Sequence, residues 1–219
     1  MEEILPAFSA GVISTIICNP LDVIRINYQL NNTMNLYNSS VFYRGLGYSL
    51  LTIPSFWTIY FPIYKKLKKE LPIPIAAYIS SCVGSIFTTP LWVLRQKSMT
   101  SKYHCFKTAK FSEYYRGLNI TFLVNLNFIV QLPVYEFLKT KVENNTTNIF
   151  LISSFAKVVS ACVFYPLDTI RAKFRNGETL KGMKPFMYYR GIHIYLLRNI
   201  PYYASVFCTY EFIKNKMYE

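Results

Sequence analysis

The sequence contains few acidic residues and few charged residues of any kind. Its 219 residues include 11 Asp and Glu against 24 Lys and Arg, and charged residues amount to 16%. A soluble domain usually devotes about a quarter of its residues to charge, so this composition argues against an ordinary soluble domain. The 52% of hydrophobic and 17% of aromatic residues fit a membrane protein with short polar loops better.

Side chains that commonly carry catalysis are also scarce. The two histidines, His104 and His193, have no neighbours that suggest a nucleophile–base pair, and the eight glycines form no phosphate-binding loop. We therefore expect neither an enzyme nor a bound cofactor. The five cysteines have no metal-site spacing, and we expect reduced thiols and no metal; they are Cys18, Cys82, Cys105, Cys162 and Cys208.

The net charge of +13 allows two kinds of partner, nucleic acid or anionic lipid and anionic solutes. The basic residues cluster near the ends of apolar stretches, as they do around membrane spans; the clusters lie at 65–69, 95–97, 171–175 and 212–216. Because no basic face carries base-stacking aromatics, we expect no nucleic acid. Helix N-termini and basic loops instead favour anionic lipid such as cardiolipin.

Three motifs recur in the same order along the chain, which is the signature of an internal repeat. Pro-Leu-x-x-x-Arg occupies 20–25, 90–95 and 166–171. Tyr-Arg-Gly followed by Leu or Ile occupies 43–46, 115–118 and 189–192. The third motif is Tyr, then Lys or Glu, then two variable residues and Lys; it occupies 64–68, 135–139 and 210–214. We predict a single domain, 1–219, of three repeats at about 1–70, 71–145 and 146–219.

Each repeat contains two apolar stretches long enough to cross the hydrocarbon core as helices. The odd stretches run roughly over 5–30, 74–98 and 149–174, and the even ones over 46–68, 118–140 and 192–215. Pro20, Pro90 and Pro166 lie toward the C-terminal part of the odd stretches, where proline bends a helix. A bent bundle without function is one interpretation. Three equivalent bends toward one axis favour a gated cavity.

With these motifs the sequence resembles the mitochondrial carrier family over essentially its whole length. The resemblance implies an all-α membrane protein with six tilted transmembrane helices in three two-helix repeats, arranged as a pseudo-threefold barrel. It also implies alternating access and a multi-pass location in the inner membrane of mitochondria or a mitochondrion-derived organelle, and we expect a monomer. The chain departs from the family in that only 17 to 19 residues separate each signature Arg from the next Tyr-Arg-Gly, too few for a full matrix helix.

The resemblance implies a matrix gate of paired signature charges. The charged members are Asp22, Arg25, Arg95, Asp168 and Arg171. Asp22 would pair with Arg95 and Asp168 with Arg25, whereas Trp92 replaces the acid that would face Arg171. Gln29 lies where the family has a bracing glutamine, although a solvated residue at the helix end is an equal alternative. The cytoplasmic gate would use Lys68, Glu136, Lys139, Glu211 and Lys214, with Lys65 in place of its third acid.

Two basic residues within apolar stretches are candidates for the solute site, because charge inside a membrane is usually functional. Arg198 lies at the spacing of the family's substrate contact, and Asn199 beside it adds a donor. Lys157 shares a helix face with small and hydroxyl-bearing residues. Snorkelling to an interface is the alternative for both cations. Facing one cavity, they would favour an anion.

The equivalent positions in the other repeats are small, apolar or amide-bearing: Val124 and Asn125 in the second repeat and Thr52 in the first. One cationic and two uncharged contacts suit a solute with a charged end and a flat, uncharged end. Trp92 resembles the family branch that carries pyrimidine nucleotides, NAD, FAD and folate. We therefore expect nucleoside di- or triphosphates or NAD-like dinucleotides. The alternatives are another organic anion, such as folate, FAD or a carboxylate, and a carrier-like scaffold that does not transport.

Overall fold

A computed structural model describes residues 4–32, 39–100, 110–142, 146–178, 182, 184–199 and 201–202. Across these residues the regular structure is entirely helical, without a strand, which confirms the all-α prediction for this part of the chain.

The three helices that carry the signatures are long. They are α1 (Ile4–Gln29), α3 (Ile73–Met99) and α7 (Thr146–Asn176), close to the predicted odd stretches. Each contains its signature proline in its C-terminal half: Pro20, Pro90 and Pro166. α3 begins directly after Pro72, with proline in its first turn, where a fixed φ and a missing N–H favour helix initiation.

The second helix of each repeat is less regular. In the first repeat it is α2 (Leu46–Leu67). In the second repeat a short α4 (Phe111–Tyr114) precedes α5 (Leu118–Asn125) and α6 (Asn127–Lys139). We predicted one helix over 118–140, but the backbone tightens at Leu126, whose N–H donates to Leu123 O at 3.2 Å, and the helix divides there. In the third repeat α8 covers 192–199, and residues 201–202 are also helical.

The remainder of the predicted helix 192–215 lies outside the described residues. The segments between odd and even helices contain only short helical pieces where they are described: Ser39–Tyr43, α4 and Pro185–Tyr189. Just after α1, Asn31 adopts a left-handed backbone with φ 56°. The short connections agree with the small number of residues available for them.

The glycine of each Tyr-Arg-Gly motif brings an even helix against a signature from another part of the chain. Gly45 has φ 75° and begins α2; a Cβ there would lie 3.0 Å from Arg95 O. Gly117 begins α5 with φ 77°, and its Cβ would lie 3.3 Å from Arg175 Cγ. At Gly191 it would meet Tyr165 and Gln29. Glycine is required because it combines a left-handed backbone with this close approach.

Polar side chains also join the signature ends of the three odd helices. Asn27 Nδ2 of α1 donates to Met99 O of α3 at 3.1 Å, and Gln96 Nε2 of α3 donates to Ala172 O of α7. Gln29 Nε2 of α1 donates to Tyr165 Oη of α7 at 2.9 Å. Each odd helix therefore contacts both of the others at this end, which we call the signature end.

The distribution of side chains is that of a membrane protein. Over 76–89 the buried face of α3 is small or hydroxyl-bearing, and the hydroxyls of Ser80, Thr88 and Thr89 donate to carbonyls of their own helix. Such residues allow helices to approach closely in lipid. Large apolar side chains lie on the outside, including Phe87 at 65% and Leu51 at 61% exposed. By length and composition three helices of the described chain can span a membrane: Ile73–Met99, Phe111–Lys139 and Leu151–Asn176.

Candidate solute-binding cavity

A cavity of about 290 Å³ lies between the helices, next to the signature end. Its wall includes six cations and two carboxylates, an excess of four positive charges. The cations are Arg25, Arg95, Lys157, Arg171, Arg175 and Arg198, and the carboxylates are Asp22 and Asp168. The volume is at the lower end of the range for small-molecule sites, and the charge attracts anions.

One carboxylate, that of Asp22, is shared between two arginines. Arg95 NH2 donates to Asp22 Oδ2 at 2.9 Å, and Arg198 NH2 donates to the same oxygen at 3.1 Å. Arg198 Nε also lies 2.8 Å from Oδ1, although its N–H is not directed at that oxygen. The pair predicted between Asp22 and Arg95 is present. Arg198, which we predicted as a solute contact, is part of the same ion-pair network.

The second carboxylate, that of Asp168, joins two other signature bases. Arg25 NH2 lies 3.6 Å from Asp168 Oδ2, as the predicted pairing requires. Arg171, on the same helix as Asp168, forms an ion pair with its other oxygen. Arg25 also stands over the ring of Tyr195, 4.2 Å from its centroid. Two carboxylates thus form ion pairs with the three signature arginines and with Arg198.

Trp92 lies within cation–π range of two other arginines. Its ring centroid lies 5.1 Å from Arg95 Cζ and 5.9 Å from Arg175 Cζ. Aromatic faces attract cations, which explains why an aromatic residue is tolerated where the other repeats have an acid. The absent carboxylate leaves the cations of this sector without a third acid among the described residues.

Our sequence reasoning missed Arg175. It is 5% exposed and lines the cavity, its NH2 donates to Thr121 Oγ1 at 3.1 Å, and its Nε has no hydrogen-bond partner among the described residues. A signal for it exists in the repeat. Arg175 follows Arg171 by four residues, as Gln29 follows Arg25, so it occupies the third-repeat equivalent of the predicted bracing position.

Gln29 is buried at 2% exposure, which excludes a solvated residue at the helix end. Besides Tyr165 Oη, its amide lies 3.5 Å from Thr169 Oγ1, and Tyr165 Oη in turn donates to Arg190 O at 3.0 Å. The side chain therefore fastens α1 to α7 directly beside the Arg25–Asp168 pair.

The other residues that line the cavity are mostly uncharged. Lys157 Nζ donates to Gln131 Oε1 at 3.4 Å, and Asn125 Nδ2 donates to Ser85 Oγ at 3.0 Å. Val124, next to Asn125 in the chain, also lines the cavity. So do two aromatic rings that we did not predict, Phe56 and Phe128. The cavity therefore presents amide, hydroxyl and aromatic surfaces in addition to the arginines.

Two predicted solute contacts do not line the cavity. Thr52 is fully buried, and its hydroxyl donates to Tyr48 O at 2.6 Å within α2; Phe56, one turn further on, faces the cavity instead. Asn199 is 5% exposed but points elsewhere, because successive residues of an α-helix lie about 100° apart and Arg198 occupies the cavity side. Thr52 and Asn199 therefore stay predicted solute contacts that this structure does not place on the cavity wall.

The predicted cytoplasmic gate is only partly described. Lys68, Glu136 and Lys139 are exposed and form no ion pair with one another. The two lysines lie over tyrosines of their own helices, 5.8 Å from the Tyr64 ring and 6.0 Å from the Tyr135 ring. Glu211 and Lys214 lie outside the described residues.

An all-helical protein that buries small and polar side chains, exposes apolar ones and encloses a cationic cavity has the design of a membrane solute transporter. Comparison with known proteins identifies the kind of transporter. The chain belongs to the mitochondrial carrier family, whose family model, described as mitochondrial carrier protein, matches residues 142–219.

Relatives along nearly the whole chain support this membership. The chain is 30% identical to the mitochondrial nicotinamide adenine dinucleotide transporter 2 of Arabidopsis thaliana, over 94% of this chain and 76% of the relative. It is 28% identical to mitochondrial substrate carrier family protein W of Dictyostelium discoideum, over 98% and 86%. It is 24% identical to the mitochondrial FAD carrier protein FLX1 of Saccharomyces cerevisiae, over 99% and 97%. Membership in a family of carriers supports transport rather than catalysis.

Proposed function

We propose that this protein carries nucleotide-type anions, nucleoside di- or triphosphates or NAD-like dinucleotides, across an organellar inner membrane by alternating access. One observation carries the proposal: the cavity combines an excess of four positive charges with two phenylalanine rings on its wall. A nucleotide presents the complementary chemistry, phosphates at one end and a flat base at the other. A small dicarboxylate has no flat group that could stack on these rings.

The contacts at the signature end support a six-helix barrel of three repeats as the frame of the carrier. The marker glycines place α2 against α3, α5 against α7 and the start of α8 against α1. Each even helix thus packs on the signature of the next repeat, and the third packs on the first. That cyclic order is what pseudo-threefold symmetry requires of a monomer, with anionic lipid such as cardiolipin at its outer basic residues.

The arginines supply the phosphate-binding part of the proposed site. Arginine binds phosphate oxygens with two parallel donors, and Arg198 and Lys157 approach the cavity from different helices. Neither cation snorkels freely to an interface, because Arg198 is bonded to Asp22 and Lys157 to Gln131. Both are therefore held where an entering anion meets them.

The aromatic side of the cavity supplies the base-binding part. Phe56 and Phe128 both stack on Tyr60, each with its ring centroid 5.9 Å from that of the tyrosine, so the three rings hold one another in place. A base that stacks on such a ring gains about 1–3 kcal/mol. The names of the relatives, which include transporters of nicotinamide adenine dinucleotide and a carrier of FAD, support the same class of solute.

The shared carboxylate suggests how solute binding and gating are coupled. Asp22 holds Arg198 and Arg95 together, and in the proposed cycle this closes the signature end as the matrix gate. A phosphate that binds Arg198 competes with Asp22 for its donors and loosens that closure. The exposed Lys68, Glu136 and Lys139 support a state that opens on the opposite side.

A thermostability screen tests the solute class. The purified protein in detergent is heated with nucleoside triphosphates, NAD, FAD, folate and small dicarboxylates, each at several concentrations. Binding to the folded state raises the melting temperature, and we expect nucleotides to raise it most. Stabilisation by dicarboxylates alone would replace the nucleotide by an organic acid, and no stabilisation by any solute would favour a scaffold without transport.

A further inference from the structure

Arg175, a cation that is not among the proposed solute contacts, lines the cavity at the signature end. Arg175 is buried, and the described residues provide it with a hydroxyl, Thr121 Oγ1 at 3.1 Å, and the face of Trp92, but with no carboxylate. Its Nε has no hydrogen-bond partner there. A buried charge without a counterion is costly, so this position favours a ligand that brings negative charge.

The repeat shows that the charge is not required to build the fold at this position. The equivalent residues after the other two signature arginines are Gln29 and Met99, both neutral. Gln29 fastens α1 to α7 through its amide alone. Arg175 makes a comparable link from α7 to α5 through Thr121, and the positive charge is additional to that link.

Room for the arginine is built into the neighbouring turn. A Cβ at Gly117 would lie 3.3 Å from Arg175 Cγ and 3.5 Å from Arg171 O, so the glycine lets this side chain pass between α7 and α5. Arg171 precedes Arg175 by one helical turn, on the same face of the helix, and both line the cavity. Guanidinium groups bind phosphate oxygens with parallel donors, and two of them on one face favour a phosphoryl group.

The same sector lacks the acid that the other two signatures have. Asp22 and Asp168 occupy the third position of their signatures, whereas Trp92 occupies it in the second repeat. Arg171 has only the carboxylate of its own helix, which Arg25 also uses. The missing negative charge and the unpaired Arg175 therefore fall in one place.

We propose that Arg175 and Arg171 form a phosphoryl-binding subsite at the signature end. A phosphoryl group of the solute then supplies the third negative charge of the matrix gate, beside Asp22 and Asp168. The inference rests on the proposed function for the identity of the solute. It goes beyond it in assigning the terminal phosphates to Arg175 and in making the bound solute part of the closure at this end.

The test uses Arg175→Gln, which keeps an amide donor for Thr121, as at Gln29, and removes the charge. The matched control is Lys173→Gln, since Lys173 lies on the same helix, pairs with Glu178 at 3.5 Å and does not line the cavity. The full chain in detergent is titrated with inorganic pyrophosphate, and binding is read from the melting temperature. We expect Arg175→Gln to weaken pyrophosphate binding about ten- to hundredfold and Lys173→Gln to leave it unchanged.

A second variant keeps the test decisive if Arg175→Gln does not fold. Trp92→Glu places a protein carboxylate beside Arg175, and we expect it to weaken pyrophosphate binding by occupying the subsite. Unchanged pyrophosphate binding in Arg175→Gln or, where that variant cannot be purified, in Trp92→Glu would overturn the proposal. If nucleotides are transported but Arg175→Gln leaves the affinity for pyrophosphate unchanged, only the proposed subsite is wrong. If pyrophosphate binding depends on Arg175 while no nucleotide is transported, the subsite stands and the assigned solute is wrong.

Discussion

Replacing Asp22 with Asn removes the carboxylate charge that Arg95 and Arg198 share. The variant should have two opposite effects. The folded protein loses the ion pairs that join α1, α3 and α8, and it becomes less stable. Arg198, no longer held by an internal carboxylate, becomes free to bind the anionic solute, and the affinity for nucleotides rises.

The structure allows both effects to be estimated. Asp22 is 6% exposed and Arg95 is 8% exposed, and removing one partner of a buried ion pair costs about 3–5 kcal/mol. Asparagine still accepts one hydrogen bond, so about 3 kcal/mol is expected, or roughly 6–12 °C in melting temperature for a chain of this size. A hydrogen bond to a charged group contributes about 1.5–3 kcal/mol. Relief from that competition should therefore tighten nucleotide binding at least about tenfold.

The assay is nucleotide-dependent thermal stabilisation of the purified variant, and its matched control is the same substitution in an Arg198→Gln background. The control removes the same carboxylate from a protein that lacks the guanidinium it holds, so any gain from the general rise in positive potential appears in both pairs of proteins. A gain in nucleotide affinity from Asp22→Asn that is as large in the Arg198→Gln background as in the unaltered protein would refute competition for Arg198.

Three further variants test individual assignments. Gly45→Ala should lower the free energy of unfolding by about 1–2 kcal/mol or more, and with it the melting temperature, because φ is 75° and the new Cβ meets Arg95 O at 3.0 Å. Gly47→Ala, with no atom within 4 Å of the new Cβ, should leave the melting temperature unchanged. Thr52→Val should leave nucleotide uptake unchanged, since that hydroxyl bonds within its own helix; a higher KM would return Thr52 to the solute path. Phe128→Ala should raise the KM for nucleotides about tenfold and leave pyrophosphate binding intact, and an equal loss of both would contradict a base-stacking role.

The repeated motifs made much of the fold predictable. A proline-containing apolar stretch, a Tyr-Arg-Gly turn and a second apolar stretch locate the odd helices and the starts of the even ones, because their determinants are local. The pairs of Asp22 with Arg95 and of Asp168 with Arg25 were implied by the resemblance to the carrier family, in which charges of neighbouring signatures pair. Because each motif recurs in every repeat, its position in one repeat indicated which helices carry the equivalent residues in the others.

The cavity was harder to predict, because its lining depends on how each helix is rotated and on ion pairs between residues far apart in the sequence. Asn199 follows Arg198 directly and for that reason faces another direction, and Thr52 lies one turn from Phe56, which does reach the cavity. The division of the helix at Leu126 shifts the phase between α5 and α6, which no apolar pattern in 118–140 signals. The partner of Arg198 could not be read from spacing, since Asp22 lies 176 positions away.

The position of Arg175 is contained in the repeat. The offset of four residues from the signature arginine leads to Gln29 in the first repeat and to Arg175 in the third. By composition alone, Arg175 belongs to the basic residues 171–175 that flank a membrane span. The structure separates them: Arg175 is buried against the cavity, whereas Lys173 pairs with Glu178 away from it.

The most direct test of the proposed function is the uptake of a radiolabelled nucleotide by proteoliposomes that contain the purified protein, with and without unlabelled nucleotide inside. We predict saturable uptake that internal nucleotide accelerates and that Arg198→Ala strongly reduces. Vesicles that take up no nucleotide under either condition, but do take up a labelled organic acid, would contradict the account.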